Sequence, residues 1–178
     1  MTKYVALLRG IGPTNPNMKS QKLKTFFEEL GFAKVQTLIT SGNVLFETDD
    51  VNIVPMEARI EKALPQKLGF TSTTIIRSQA ELQKLVDENP YKGEVHNKNN
   101  YLLVTFFKTF RRVPFKLPHN PPYKPYTLLG KVDNAIYGII NLTIGKTPDY
   151  MVWLERQFGK DITSRTFSTV QRILVKMQ

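Results

Sequence analysis

A chain of 178 residues with 41% apolar side chains can bury a core and forms one domain or two small ones. It has no cysteine, which excludes disulfides, thiol chemistry and cysteine-built zinc sites, and His96 and His119 make no metal site without carboxylate partners, so neither metal nor cofactor is expected. The net charge of +10 points toward phosphate, nucleic acid or another anionic surface; no apolar run approaches the roughly 20 residues that span a bilayer, and no signal pattern opens the chain, so a soluble cytoplasmic protein without a membrane partner is expected.

Residues 3–9 read as a short buried strand leading into a Gly/Pro/Asn loop. Asn17 or Ser20 can then cap a helix in which Leu23, Phe26, Phe27 and Leu30 recur on one face, with Gly31 as its stop. Strands over 35–39 and 44–46 flank Ser41-Gly42-Asn43, a hairpin signal. Ile53, Met56, Ile60, Ala63 and Leu64 form a second helical stripe entered through Pro55; Pro65 is expected to kink or end it, and Gly69 to close the segment. Residues 70–77, rich in Thr and Ile, read as a fourth strand. The order β-α-β-β-α-β is the ferredoxin-like pattern.

Ser78-Gln79-Ala80-Glu81 is a capping box, so a connecting helix is expected over 79–88, stopped by Asn89-Pro90. A polar linker over 92–100 precedes a strand at 101–107 and a proline-rich basic loop at 109–125, where a helix would complete the pattern. Strands at 126–131 and 135–141 flank a hairpin at Val132-Asp133-Asn134. A helix over 148–158 places Trp153 in its buried stripe, and a last strand follows at 162–167. Ser168 is expected to cap a final helix whose Val170, Ile173, Leu174 and Met177 share a face. The fold class is therefore α+β, with two ferredoxin-like halves whose antiparallel sheets carry helices on one face. Half one is 1–77, the connecting helix and linker 78–99, and half two 100–178, its first helix degraded and a C-terminal helix added.

In a β-α-β-β-α-β unit the loop leaving strand one and the hairpin between strands two and three lie at the same end of the sheet. That places Arg9, Gly10 and Gly12 beside Ser41, Gly42 and Asn43. Glycines admit close backbone approach, the arginine offers a planar fork for phosphate or carboxylate, and Ser41 and Asn43 add neutral hydrogen bonds, a candidate anion site. The alternative is that these residues only shape turns, with Asn43 at positive φ and Arg9 solvated. Arg9-Gly10-Ile11-Gly12 lacks the third glycine and downstream acid of a dinucleotide fingerprint, and no Gly-Lys-Ser/Thr follows as in a P-loop.

Charge is uneven. Residues 1–99 hold 13 basic and 11 acidic side chains, whereas 100–178 hold 12 and 4. Between Val95 and Val132 there is no acid at all. The end of the second half equivalent to the first site holds Phe110, Arg111 and Arg112, with Lys116 nearby and residues 131–134 opposite. Arginines interleaved with aromatics are the pattern of single-stranded nucleic-acid binding. Arg111, Arg112, Lys116 and Arg165 are the candidate nucleic-acid contacts; the plainer alternatives are that the phenylalanines are core and that the charge only aids solubility. Ser41 has no histidine partner by this topology, and the carboxylates Asp49, Asp50, Asp133 and Asp161 are scattered over turns, so no catalytic constellation is recognisable.

Tyr4-Val5-Ala6-Leu7-Leu8-Arg9-Gly10-Ile11, Met18, Leu30-Gly31-Phe32, Val35-Gln36-Thr37 and Ser41-Gly42-Asn43-Val44-Leu45-Phe46 resemble a bacterial family catalogued as domain of unknown function 1697. Thr163-Ser164-Arg165-Thr166-Phe167-Ser168-Thr169-Val170 is similar to that family's C-terminal signature, so the resemblance extends over essentially the whole chain. It implies two ferredoxin-like halves and no particular activity. The chain departs from the family at Gly12, where Asn is usual, at residues 13–17, where a Gly-Gly-Lys-type loop is usual, and at Thr166-Phe167, where Asn-Trp is usual. Arg9, Gly10, Ser41, Gly42, Asn43 and Arg165 are the matched positions.

Three functions compete on these observations. The first is a binding module for nucleotide or nucleic acid. The second is an interaction or oligomerisation protein. The third is an acylphosphatase-like hydrolase pairing Arg9 with Asn43, by fold analogy alone. Oligomeric state is not read from the sequence.

Overall fold

The computed structural model describes residues 1–10, 14–39, 42–88 and 90–178. The chain forms two compact units, Met1–Leu82 with Ile173–Gln178, and Gln83–Arg172. In the first unit β1 (Thr2–Leu8), α1 (Ser20–Glu29), β2 (Ala33–Thr37), β3 (Asn43–Thr48), α2 (Ile53–Leu68) and β4 (Thr74–Ser78) build a sheet of order β2-β3-β1-β4. Every pairing is antiparallel, the arrangement a β-α-β-β-α-β chain gives when its two crossovers lie on one side. After α3 (Gln79–Asp87), the second unit repeats it with β5 (Asn100–Phe107), β6 (Tyr126–Val132), β7 (Ala135–Asn141), α4 (Thr147–Phe158) and β8 (Ile162–Thr166), order β6-β7-β5-β8. α5 (Phe167–Met177) follows. No helix among the described residues is long and apolar enough to cross a membrane.

Alternation along the strands sets the first core. Tyr4, Ala6, Leu8, Val44, Phe46 and Ile76 face Leu23, Phe26 and Phe27 of α1 and Met56, Ile60 and Leu64 of α2. The apolar positions of both helices recur every three or four residues, so each buries a single stripe. The Phe32 and Phe46 rings pack tilted at 44° with centres 4.4 Å apart, and the Arg59 guanidinium lies over the Phe32 ring at 4.7 Å. α2 runs through Pro65 to Leu68 and stops at Gly69, so Pro65 does not end the helix.

The second core, built on Leu103, Phe107, Ile136, Ile140, Tyr150, Leu154 and Ile162, lacks a counterpart of α1. Residues 108–125 form an irregular strap instead, and Val113, Phe115 and Leu117 pack against the core from it. Prolines at 114, 118, 121, 122 and 125 deny this stretch the N–H groups and backbone angles of a helix. Alternate residues of the strap therefore point in and out: Val113, Phe115 and Leu117 are part-buried, while Arg112, Pro114, Lys116 and Pro118 are exposed. Trp153 of α4 is only half-buried, so it sits at the margin of the stripe rather than within it.

The two sheets agree in detail. In unit one the Leu8 N–H donates to Gly42 O at 2.8 Å and the Arg9 N–H to Thr73 O at 3.0 Å. In unit two the Phe107 N–H donates to Asn134 O at 2.8 Å and the Lys108 N–H to Asp161 O at 2.9 Å. Val5 pairs with Arg77 as Val104 pairs with Arg165. Each unit also passes from its last strand into a helix whose cap sits on the strand's final residue. At Ser78 the capping box is complete: the Ser78 N–H donates to Glu81 Oε2 at 2.8 Å and the Glu81 N–H to Ser78 Oγ at 3.2 Å. At α5 the cap is Thr166, whose Oγ1 accepts the Thr169 N–H at 3.2 Å. Ser168, the cap expected from sequence, lies inside the first turn and bonds sideways to Thr166 Oγ1 at 3.1 Å. Replacing Thr166→Val should lower the unfolding free energy by about 1 kcal/mol, whereas Ser168→Ala should change it by less than about 0.5 kcal/mol. Urea denaturation of the two variants checks this, and equal losses would return the cap to Ser168.

Candidate functional site

β1 exits beside the β2–β3 hairpin and the start of β4, as its pairing with both neighbours requires. At this end Arg9 is half-buried, and Gly10, exposed with φ 76°, turns the chain out of the sheet. Ser72 holds the Arg9 backbone in both directions: the Arg9 N–H donates to Ser72 Oγ at 2.9 Å, and the Ser72 hydroxyl donates to Arg9 O at 2.8 Å. Sequence reasoning absorbed Ser72 into a strand; a lone small hydroxyl opposite the strand-one exit was the only signal for it.

Arg9, Gly10, Gly42 and Asn43 do converge here, but Asn43 is not a ligand donor in waiting. It is 1% exposed, and its Nδ2 donates to Leu38 O at 3.0 Å while Asn43 O accepts the Leu38 N–H at 3.0 Å. Its amide closes the hairpin. Positive φ falls on Ile39 (59°) and Gly42 (69°), not on Asn43. Gly12 and Ser41 lie outside the described residues. The expected caps of α1 also shift. Asn15 Oδ1 accepts the Asn17 N–H at 2.9 Å at the head of a 3-10 turn, Pro16–Met18, and α1 itself starts without a side-chain cap. Asn17 instead donates to Leu68 O at 2.8 Å and accepts Lys22 Nζ at 2.6 Å, tying the loop to the end of α2.

In unit two the equivalent end is cationic and aromatic. Lys131 Nζ stands 4.2 Å from the centre of the Phe110 ring and donates to Arg111 O at 2.9 Å. Arg111 Nη2 lies 4.0 Å from Asp161 Oδ2, an ion pair open to solvent and worth little in water. Arg112 and Lys116 project from the outer side of the strap. Phe106 and Phe107 are core and Phe115 is packed inward, but Phe110 is 73% exposed.

Arg165 does not join this group. It pairs with Val104, on the face of the sheet turned away from Leu103, Phe107 and α4, and donates from Nη1 to Thr163 Oγ1 and Ser164 O, both at 2.8 Å. Burial of its head pushes the guanidinium down to about 10, and burial lowers Arg77 likewise. Arg77 in unit one makes the matching contact, Nη1 to Ile76 O at 2.6 Å. The shared register makes Arg165 part of the repeated scaffold.

Residues 1–114 match the family described as "Protein of unknown function (DUF1697)". The chain belongs to the DUF1697 family. The match covers the whole first sheet and the head of the strap, and the Thr163–Val170 stretch lies beyond it. No curated protein matches the chain. Among solved structures, the conserved bacterial protein SP0830 from Streptococcus pneumoniae is similar in fold, with a TM-score of 0.69, 18% identity and 99% of each chain covered. The repeated sheet is thus a property of a whole two-unit architecture.

What both DUF1697 ends offer chemically is backbone polarity and fixed cations. Of the described glycines at the unit-one end, Gly42 is less free to change than Gly10, whose added Cβ would meet nothing within 4 Å. A Cβ at Gly42 would sit 3.0 Å from Leu8 Cβ and 3.2 Å from Met18 Cε, on a φ that disfavours any side chain. Gly42→Ala should destabilise unit one by about 1–3 kcal/mol. Thermal melting followed by circular dichroism reads this out; an unchanged midpoint would mean that the hairpin relaxes without loss.

Proposed function

We propose that the chain is a cytoplasmic binding module for phosphate-bearing ligands, nucleotide or nucleic acid, with the basic second unit as its principal contact surface. The observation that carries this reading is Phe110, a large ring held in water beside Lys131 on a stretch without a carboxylate. Leaving a phenylalanine exposed forgoes about 1.5–3 kcal/mol of burial, while an aromatic face next to cations is what a stacked base and its phosphates need. Arg112 and Lys116, outward on the strap, supply further charge for a backbone. In unit one the contact would come from the Arg9 guanidinium and the Gly10 backbone, with the hairpin as support.

The hydrolase alternative needs an amide that a substrate can reach, and the buried, hairpin-closing Asn43 does not favour it. Fluorescence anisotropy of labelled single-stranded RNA, single-stranded DNA and duplex DNA tests the binding reading. Affinity should fall steeply with salt, and Arg112→Ala with Lys116→Ala should reduce the log–log salt slope for single strands by about 1.4, roughly 0.7 per lost phosphate contact. Absence of binding at low salt, or a slope untouched by the double substitution, would remove it.

A further inference from the structure

Unit two also holds a groove of about 360 Å³ that no motif announced. Its lining includes Tyr123, Lys124, Tyr126, Asp149, Trp153 and Arg156. Trp153 is the chain's single tryptophan, and its ring is fixed from several sides: 5.1 Å from Tyr126, nearly parallel to Tyr150 at 18° and to His119 at 15°. The floor is therefore aromatic and rigid, since each ring is held by its neighbours. Tyr123 stands fully exposed at the rim, with Ile144 and Val152 also exposed along the same groove. Such a collection of solvated apolar side chains around one concavity is unusual unless something covers it. The opposite wall is pinned by close approach: a Cβ at Gly145 would overlap the Pro125 ring, and the Asn141 N–H donates to Pro125 O at 2.7 Å.

The charges narrow the occupant. The lining holds two cations, Lys124 and Arg156, and one carboxylate, Asp149, so the groove carries a net positive charge next to aromatic side chains. Asp149 and Arg156 act in opposite directions on the Tyr126 hydroxyl, which places all three polar groups within electrostatic reach of one another. A purely apolar peptide would leave the two cations without a partner, and a bare phosphate would leave the rings uncovered. We propose that this groove binds a nucleotide, with its base against Trp153 and Tyr123 and its phosphate on Lys124 and Arg156. Asp149 then offers an acceptor for an exocyclic amino group or a ribose hydroxyl. The proposal rests on the reading that the chain takes phosphate-bearing ligands and adds a second, concave position to the open surface around Phe110. The nucleotide comes either free or as the end of a single strand.

Because Trp153 is the one tryptophan, its emission reports this groove alone. The full chain is titrated with AMP, adenosine, inorganic phosphate and a short single-stranded oligonucleotide. AMP should quench Trp153 saturably, with adenosine and phosphate each about tenfold weaker, the loss expected when a charge-assisted or stacking contact is removed. Arg156→Gln and Tyr123→Ala alter exposed side chains and should each weaken AMP about tenfold without lowering the melting temperature. Quenching by oligonucleotide but not AMP assigns the groove to a strand end. Oligonucleotide binding by anisotropy with no change in Trp153 emission from any ligand overturns the groove and leaves the Phe110 surface standing. Saturable quenching by AMP without oligonucleotide binding keeps the groove and removes that surface. AMP affinity unchanged in both variants would overturn the assignment outright.

Discussion

The constraint on which each unit depends is the pairing of its first strand on both edges up to and past its last side chain. β1 and β5 are central, so their exit residues cannot leave the sheet until neighbours have taken their N–H groups. Leu8 and Arg9 are held by Gly42 and Thr73, and Phe107 and Lys108 by Asn134 and Asp161. An unpaired buried N–H costs as much as a lost hydrogen bond, so this double anchorage fixes the backbone wherever the sheet is intact. A cation one residue beyond the last buried side chain is thereby placed at a defined point, Arg9 in one unit and Lys108 in the other.

What differs between the units is the element laid over the helix-side face. In unit one α1 covers it with a stripe of Leu23, Phe26 and Phe27. In unit two a proline-rich strap does so with Val113, Phe115 and Leu117 at period two. A helix shows its remaining positions to water as a broad polar face, whereas an extended strap shows every second residue in a single file. The strap's exposed file carries Arg112 and Lys116, and its entrance carries the unburied Phe110.

Much of this fold was legible because periodicity is imposed by burial. The stripes of α1, α2 and α5, the hairpins and the Ser78–Glu81 capping box all follow from local pattern. The misreadings occur where a tertiary partner decides. Asn43 is polar and sits in a turn motif, yet its hydrogen bond to Leu38 O draws it inside. Thr166 rather than Ser168 caps α5 because β8 continues through Thr166 and delivers its hydroxyl to the helix start. Arg165, a candidate contact in the Thr163–Val170 stretch, is placed by register rather than by local pattern. Its strand register with Val104 places it against the sheet. The Tyr123–Trp153 groove joins residues some thirty positions apart in an irregular strap and a helix, and no spacing rule links them.

The charge asymmetry follows from the exchanged element. The stretch from Arg9 to Glu29 carries Lys19, Lys22 and Lys24 but ends in Glu28 and Glu29, and the Lys24–Glu28 pair at 3.8 Å balances charge along the helix. The strap from Lys108 to Pro125 carries Lys108, Arg111, Arg112, Lys116 and Lys124 with no acid. A helix brings residues four apart together, so opposite charges on it compensate one another; the strap has no acid of its own to pair with its cations. Its cations then find partners elsewhere, as Arg111 does at Asp161, or stand in water as Arg112 and Lys116 do, while Lys131 of β6 sits over the strap's Phe110. The positive field of this face therefore comes from the strap's composition, five cations and no acid, laid over a sheet that otherwise repeats that of unit one.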